Sequence, residues 1–297
     1  MATLKDIKTK IGAVKKTRQI TKAMNMVAAS KLRGAQANME GFRPYAAKFA
    51  EVLGSLAEKV GEEASPLLVP RQEVKKIDIV LCTSDKGLCG GFNTNLIAKA
   101  DSFIKDKSEE NIEVSVTNFG KKGRNWCRKK NIPISSEHIG VVGARFGFNT
   151  ASKAGQKLID GFLDGTYAEV YIVYAECTSV ARQTPVMKQI LPIPPLESAE
   201  DQAEDKDTPY LAEHICEPSP EEVLGEMLPR NVYVQLYSAL LETTASEHAA
   251  RMAAMDNATK ACNDMIDDLT LTYNKARQAA ITAELMDIVG GAEALKG

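Results

Sequence analysis

Apolar residues recur every three and four positions along the first 60 residues of the chain. The series runs from Leu4 to Val60, and its only polar members are Arg18, Thr21 and Asn25. A 3.5-residue period sustained over about eight heptads is typical of a helix in a coiled coil. At roughly 1.5 Å per residue, such a helix would be about 85 Å long if unbroken. Its predicted seam includes Ile7, Ile11, Val14 and Leu32.

The last segment of the chain carries a similar repeat. From Leu241 to Ala283 the heptad series contains only two polar residues, His248 and Thr259. Small residues are common along it, so a partner helix can approach closely. The predicted seam of this second helix includes Met252, Met255, Ile266 and Leu269. We assign residues 1–60 and 223–290 to the two coiled-coil helices.

Charge is distributed unequally between these two segments. Residues 1–48 contain eleven Lys or Arg and two acidic residues, whereas residues 221–297 contain twelve acidic residues and six basic ones. Opposite charges beside a coiled-coil seam help to select partner and orientation. The simplest way to bury both seams is for the terminal helices to wind around each other, and we predict an antiparallel pair.

Prolines and glycines predict where these helices bend or end. Gly41 and Pro44 favour a bend near residues 41–44, since proline removes a helical hydrogen bond. Pro229 predicts a break or kink before the second heptad series begins. Gly290 and Gly291 predict the end of the last helix.

The middle of the chain alternates between strand-like and helix-like patterns over residues 75–195. Strands alternating with helices predict a parallel, Rossmann-like α/β sheet. The predicted strands are Lys76–Cys82, Ile112–Phe119, Ile132–Val142, Tyr167–Tyr174 and Val186–Ile193, and the predicted helices are Phe92–Lys105, Lys121–Asn131 and Thr150–Leu163. Residues 196–222 form an acidic, proline-containing connection that is poorly suited to a core.

Composition narrows the class of protein. Apolar residues make up 44% of the chain and charged residues 26%, which is typical of a globular protein. The six cysteines are scattered without metal-ligand spacing, so we expect a reducing compartment. The first residues lack the apolar core of a secretory signal, and no apolar run is long enough to predict a membrane span.

Two glycine-containing loops are the best candidates for phosphate binding. Ser84–Gly91 follows a strand and precedes a helix, but it lacks the spacing of both common phosphate-binding motifs. We interpret it as a structural turn, and Phe119–Arg124 as a solvated basic turn. The histidines, His138, His214 and His248, show no catalytic spacing and are interpreted as packing or solvated residues. The sequence thus predicts no catalytic residue, cofactor or metal ligand.

The basic first helix is the best candidate for nucleic-acid binding. It has almost no aromatic residue before Phe42 on which bases could stack. We therefore favour contact with an acidic partner helix or protein loop. Two other readings stay open: a Rossmann-like nucleotide enzyme with a helical arm that binds RNA, and a coiled-coil scaffold of another kind.

Four segments resemble the gamma-subunit family of F-type ATP synthases. These segments are Ile20–Arg33, Ser84–Asn93, Glu247–Met255 and Tyr273–Leu285. The resemblance implies a non-catalytic rotor shaft, with the terminal helices inside a hexamer of three alpha and three beta subunits. It further implies contact with the epsilon subunit and the c-subunit ring, and peripheral association with the cytoplasmic side of a bacterial membrane. No nucleic-acid partner is implied.

The resemblance also assigns residues that would contact beta-subunit loops. They are Met24, Lys31, Arg277, Gln278, Thr282 and Glu284. The last turns, Leu285–Leu295, become more apolar, and we expect them to rotate within an apolar sleeve where few directional bonds would resist motion. No cysteine pair is present in the α/β segment, so thiol regulation of the kind found in plastid relatives is not expected.

Overall fold

A computed structural model describes residues 3–60, 65–71, 73–177, 179, 182–194, 216–217 and 219–294. It divides into two compact units. We call Met1–Ala28 with Met252–Gly297 the helix-pair unit, and Ala29–Arg251 the sheet unit. The predicted acidic connection lies almost wholly outside the described residues.

The described residues form five helices and five strands. In chain order they are α1 (Leu4–Val60), β1 (Lys76–Cys82), α2 (Phe92–Glu109), β2 (Glu113–Phe119), α3 (Lys121–Lys130), β3 (Ile134–His138), α4 (Phe148–Leu163), β4 (Glu169–Cys177), β5 (Gln183–Leu191) and α5 (Pro220–Ala294). Every predicted strand and helix is present, and most bounds differ from the prediction by a few residues. The predicted mixed α/β fold with long terminal helices is confirmed.

Both long helices continue through the prolines at which the sequence predicted a bend or a break. α1 is helical through Pro44, and α5 is helical through Pro229. Proline at position 44 removes only the bond to the carbonyl of Glu40, which is exposed and can bond to water instead. The prediction that Gly290 and Gly291 end the last helix is wrong, because α5 continues to Ala294.

The sheet has the strand order β3-β2-β1-β4-β5. β1 is central and pairs in parallel with both β2 and β4, and β2 pairs in parallel with β3. The sheet is mainly parallel, as predicted, and its one antiparallel pair is at an edge, where β5 runs antiparallel to β4. Only five residues separate these two strands in the sequence, too few for a parallel crossover.

Alternate residues of β1 face two different cores. Ile77, Ile79 and Leu81 pack with residues of α2 and α3. Val80 and Cys82 pack with α4 and with those parts of α1 and α5 that belong to the sheet unit. Side chains of a strand point alternately to the two faces of its sheet, so both faces here are covered by helices.

The heptad series of α1 and α5 are the buried rows of these helices. Every described member from Leu4 to Val60, and from Leu241 to Ala280, is buried or half-buried within its own unit. Among the predicted seam residues, Ile7, Leu32, Met255 and Ile266 are buried, and Ile11, Val14, Met252 and Leu269 are half-buried.

Asp78 is a buried carboxyl in the central strand. It accepts hydrogen bonds from Ser115 Oγ at 2.6 Å and Thr117 Oγ1 at 2.7 Å, both on β2. Burial raises the pKa of Asp78, and the two hydroxyl donors oppose this rise without cancelling it. The carboxyl is therefore a source of pH-dependent stability in the sheet unit.

We expect Asp78→Asn to flatten the dependence of stability on pH. The folded-state pKa lies above that of the unfolded chain, so the stability of the natural chain falls as pH rises from about 4 through the folded-state pKa. The slope is at most about 1.4 kcal/mol per pH unit. Urea unfolding monitored through Trp126 in α3, the only tryptophan, measures it.

Asp106→Asn, at an exposed position on α2, is the matched control and should keep the slope of the natural chain. Equal slopes for Asp78→Asn and the natural chain would show that Asp78 does not titrate as its burial implies.

Candidate functional site

Three polar residues interrupt the seam of α1, and each has a partner on α5 within the helix-pair unit. Arg18 Nη1 donates to Asn263 Oδ1 at 3.1 Å. The Thr21 and Thr259 hydroxyls lie 2.8 Å apart, and Asn25 Nδ2 donates to the Met252 carbonyl at 2.9 Å.

Rising residue numbers on α1 thus meet falling numbers on α5, so the two helices are antiparallel here. A half-buried polar group left without its partner is costly, so these three pairs favour one register over its neighbours.

The same register leaves the end of α5 without a partner in the helix-pair unit. α1 begins at Leu4, and continuing the register from the Arg18–Asn263 pair brings its first turn close to Ala276. The side chains of α5 also become more exposed from this point on. Ala276 and Ala280 are half-buried, and residues 281–292 are exposed. The exposed large apolar side chains there are Ile281, Leu285, Met286, Ile288 and Val289.

The residues assigned to beta-subunit contact by resemblance lie mainly on exposed surface. Lys31 on α1 is exposed, as are Arg277, Gln278, Thr282 and Glu284 on α5, and Met24 is half-buried. The Thr282 hydroxyl donates to the Gln278 carbonyl of its own helix at 2.9 Å. The other side chains of this set have no hydrogen bond or ion pair to a described residue, so their polar groups are available to another chain.

In the sheet unit, the glycine-containing loop is held by its own polar groups. The Ser84 amide donates to Asn93 Oδ1 at 3.0 Å, which ties the loop to the first turn of α2. Asp85 accepts from the Lys121 amide at 2.9 Å and from the Gly140 amide at 2.8 Å. Asp85 thereby connects this loop to the start of α3 and to the segment after β3.

Side chains of α5 anchor the same loop. Arg251 Nη2 lies 3.5 Å from the Lys86 carbonyl and 3.4 Å from the Gly87 carbonyl, and it donates to Glu247 Oε1 at 2.6 Å. Glu247 is 3% exposed and His248 is 4% exposed. Thr243–Ala250 is buried without interruption, so this part of α5 is surrounded on all sides within the sheet unit.

Burial shifts the titration of both buried ionisable residues. It raises the pKa of Glu247, and the neighbouring Arg251 opposes that rise. Burial lowers the pKa of His248 to about 4, assisted by the positive charges of Arg251 and Lys31. His248 is therefore neutral near pH 7.

Sequence reasoning placed Glu247 and Arg251 on the last helix but missed the contact of Arg251 with the loop. The available signal was a Glu–Arg pair at i,i+4 within an otherwise apolar and small-residue stretch. The partners of Arg251 in the loop are more than 160 positions away in the sequence, so spacing carries no information about the contact.

The other polar candidates are packing residues. His138 stacks on Phe119 with ring centroids 4.6 Å apart, and burial lowers its pKa. Burial raises the pKa of the thiols of Cys89 and Cys127. His214 lies outside the described residues. Within the described ranges, no group of three or more His, Cys, Asp or Glu side chains is placed to hold a metal ion.

Substitution of Gly143 would test how tightly Glu247 is packed. It has φ +79°, and a Cβ at this position would lie 2.2 Å from Glu247 Oε2. Glu247 can move away only by weakening its 2.6 Å contact with Arg251. We expect Gly143→Ala to lower the free energy of unfolding by about 1–2 kcal/mol for its backbone conformation and by a further 1–3 kcal/mol or so for overpacking.

Gly140→Ala is the matched control, because Gly140 has φ +81° and open space around its Cβ position. In the same urea titration, Gly140→Ala should lower the free energy of unfolding only by the contribution of its backbone conformation. Equal losses for the two variants would contradict a tightly packed Glu247.

Comparison with known proteins agrees with these features. A family model described as ATP synthase matches residues 3–295. The chain is 68% identical to the ATP synthase gamma chain of Desulfosudis oleivorans, with all of both chains covered. It is 63% identical to that of Desulforapulum autotrophicum, with 99% of this chain and 100% of the relative covered.

Solved structures show the same fold. The central stalk and c-ring structure of the Tetrahymena thermophila mitochondrial ATP synthase contains a chain with a TM-score of 0.58 and 25% identity, covering 80% of this chain and 99% of that one. A chain of the Euglena gracilis mitochondrial ATP synthase aligns with a TM-score of 0.66 and 19% identity, covering 98% of this chain and 94% of that one. The chain belongs to the ATP synthase gamma-chain family.

Proposed function

We propose that this chain is the central rotor shaft of a proton-translocating F-type ATP synthase. In this role it transmits torque between the membrane c-ring and the catalytic hexamer, and it is a non-catalytic subunit. The observation that carries the proposal is identity of 68% over the full length of an ATP synthase gamma chain. The antiparallel pairing of α1 and α5 in the helix-pair unit supports it, because two helices resist twisting better than one.

The partners follow from this role. They are three alpha and three beta subunits, the epsilon subunit and the c-subunit ring; nucleic acid is not among them. Association with the membrane is peripheral, through the complex, on the cytoplasmic side of a bacterial membrane. Within the described chain, no helix combines the length and the hydropathy needed to cross a membrane.

Beta-subunit loops contact the shaft at Met24, Lys31, Arg277, Gln278, Thr282 and Glu284. Their support is resemblance to the family's motifs together with exposure: all but the half-buried Met24 are exposed. The guanidinium of Arg277 and the primary amide of Gln278 each offer hydrogen-bond donors to carboxylate-bearing loops.

The unpaired end of α5 turns inside an apolar sleeve formed by the hexamer. The exposed apolar side chains from Ile281 to Val289 support this placement. A contact made mainly of apolar groups has few directional bonds to break as the shaft turns, whereas a ring of hydrogen bonds would hold preferred angles.

The alternative function is that of a nucleotide-processing enzyme, and an ATP turnover assay of the pure chain distinguishes it from the shaft role. Pure chain should show no ATP turnover, and chain isolated from its native membrane should carry alpha and beta subunits identifiable by mass. Substantial ATPase activity of the pure chain, or recovery without those subunits, would overturn the shaft role.

The contact residues are tested in the assembled complex. We expect the Arg277→Ala, Gln278→Ala double variant to lower ATP-driven proton pumping about tenfold, since loss of one strong hydrogen-bonded contact is worth about 1.4 kcal/mol. Lys275→Ala, at an exposed position on the same helix, is the control and should stay within about twofold of the natural complex. Equal activity of the double variant and the control, with both complexes intact, would remove these two residues from the contact set.

A further inference from the structure

The sheet unit contains a polar cavity of about 630 Å³, and of the residues assigned above to beta-subunit contact only Lys31 lines it. Residues 30–38 of α1, residues 241–248 of α5 and the loop 143–146 form its walls. This volume lies within the usual range for small-molecule sites. The polar side chains that line it are Ser30, Lys31, Asn38, Arg145, Thr244 and His248.

Two of these side chains are cations that form no direct ion pair, although Glu247 attracts Lys31 electrostatically. Lys31 and Arg145 come from different elements, and neither forms an ion pair or hydrogen bond with any residue in the described part of the chain. Both are exposed to the cavity and to solvent, so neither is needed to hold the fold together.

His248 adds a hydrogen-bond donor at the cavity wall. Its Nδ1 lies 3.4 Å from Arg251 Nη1, and a guanidinium can only donate, so Nδ1 accepts. The neutral ring therefore carries its proton on Nε2. That N–H has no hydrogen-bond partner among the described residues, although the side chain is 4% exposed and lines the cavity.

Glu247 is a negative charge next to the cavity wall, and both Arg251 and Lys31 attract it electrostatically. Its Oε1 is bonded to Arg251, and its Oε2 is buried without a hydrogen-bond partner among the described residues. The cations Lys31, Arg145 and Arg251 outnumber the carboxylates Glu247 and Asp85 by one, so a net positive charge remains. The nearby Asp85 has both carboxylate oxygens bonded to backbone amides.

We propose that this cavity binds a small phosphate-bearing molecule, either inorganic phosphate or the phosphate group of a nucleotide. Donors converge from α1, from the loop and from α5, and a tetrahedral anion with several acceptor oxygens satisfies donors that approach from different directions. Ser30, Asn38 and Thr244 supply further polar atoms of the kind that orient a bound ligand. The proposal concerns a site separate from the Ser84–Gly91 loop and does not depend on the shaft role.

Calorimetric titration of the 297-residue chain tests the proposal, because the pure chain brings no catalytic subunit that would bind the same ligands. Inorganic phosphate and ATP without magnesium are titrated separately into the natural chain and into a Lys31→Gln, Arg145→Gln variant. The matched control is Lys99→Gln, Arg230→Gln, which removes two exposed cations away from the cavity.

We expect saturable binding of at least one ligand to the natural chain and the control, and affinity at least tenfold weaker in the cavity variant. Tighter binding of ATP than of phosphate identifies a nucleotide as the ligand, and binding of phosphate alone identifies the free anion. Absence of saturable binding for both ligands overturns the proposal. Equal affinity in the cavity variant and the control also overturns it, since the ligand would then bind elsewhere.

Discussion

Burial of the apolar seam between α1 and α5 is the interaction on which the helix-pair unit depends. This unit contains no sheet and no third helix among its described residues, so Ile7, Met255 and Ile266 are buried only because the two helices pair. Each fully buried side chain of this size contributes about 1.5–3 kcal/mol. The polar pairs at Thr21 and Asn25 add selectivity, because a shift in register would leave their polar groups without partners.

Beyond Glu242 the helix α5 passes through three environments, and its sequence changes with each. Thr243–Ala250 is buried on all sides, and small and polar side chains dominate there. The following turns bury one row against α1. Beyond Ala280 every described side chain is exposed, and several are large and apolar. An exposed apolar helix end is unfavourable in water, and this is the physical argument for the proposal that other subunits surround it.

The sequence predicted those elements whose pattern is local, and it failed where the determining contact is distant. The bounds of β1 agree with the prediction because a central strand buried on both faces is a mainly apolar run, which only Asp78 interrupts between Ile77 and Cys82. The direction of β5 was missed, since the pattern of a strand contains no information about its orientation. The helix end at Gly290 was predicted from a local preference of about 1 kcal/mol, which α5 overrides. The loop anchor at Arg251 and the cavity beside His248 arise from residues far apart in the sequence, so spacing could not reveal them.

Cross-linking of Thr21→Cys to Thr259→Cys in the assembled complex, in a Cys262→Ser background, tests the pairing of the terminal helices most directly. The two threonine hydroxyls lie 2.8 Å apart, so we expect a disulfide to form within one gamma chain and ATP-driven rotation to continue, because both helices turn together. The control pair Thr21→Cys and Thr270→Cys is offset by about 16 Å along the helix and should not cross-link. Failure of the first pair to cross-link, or loss of rotation once it has, would contradict a shaft built from these two helices.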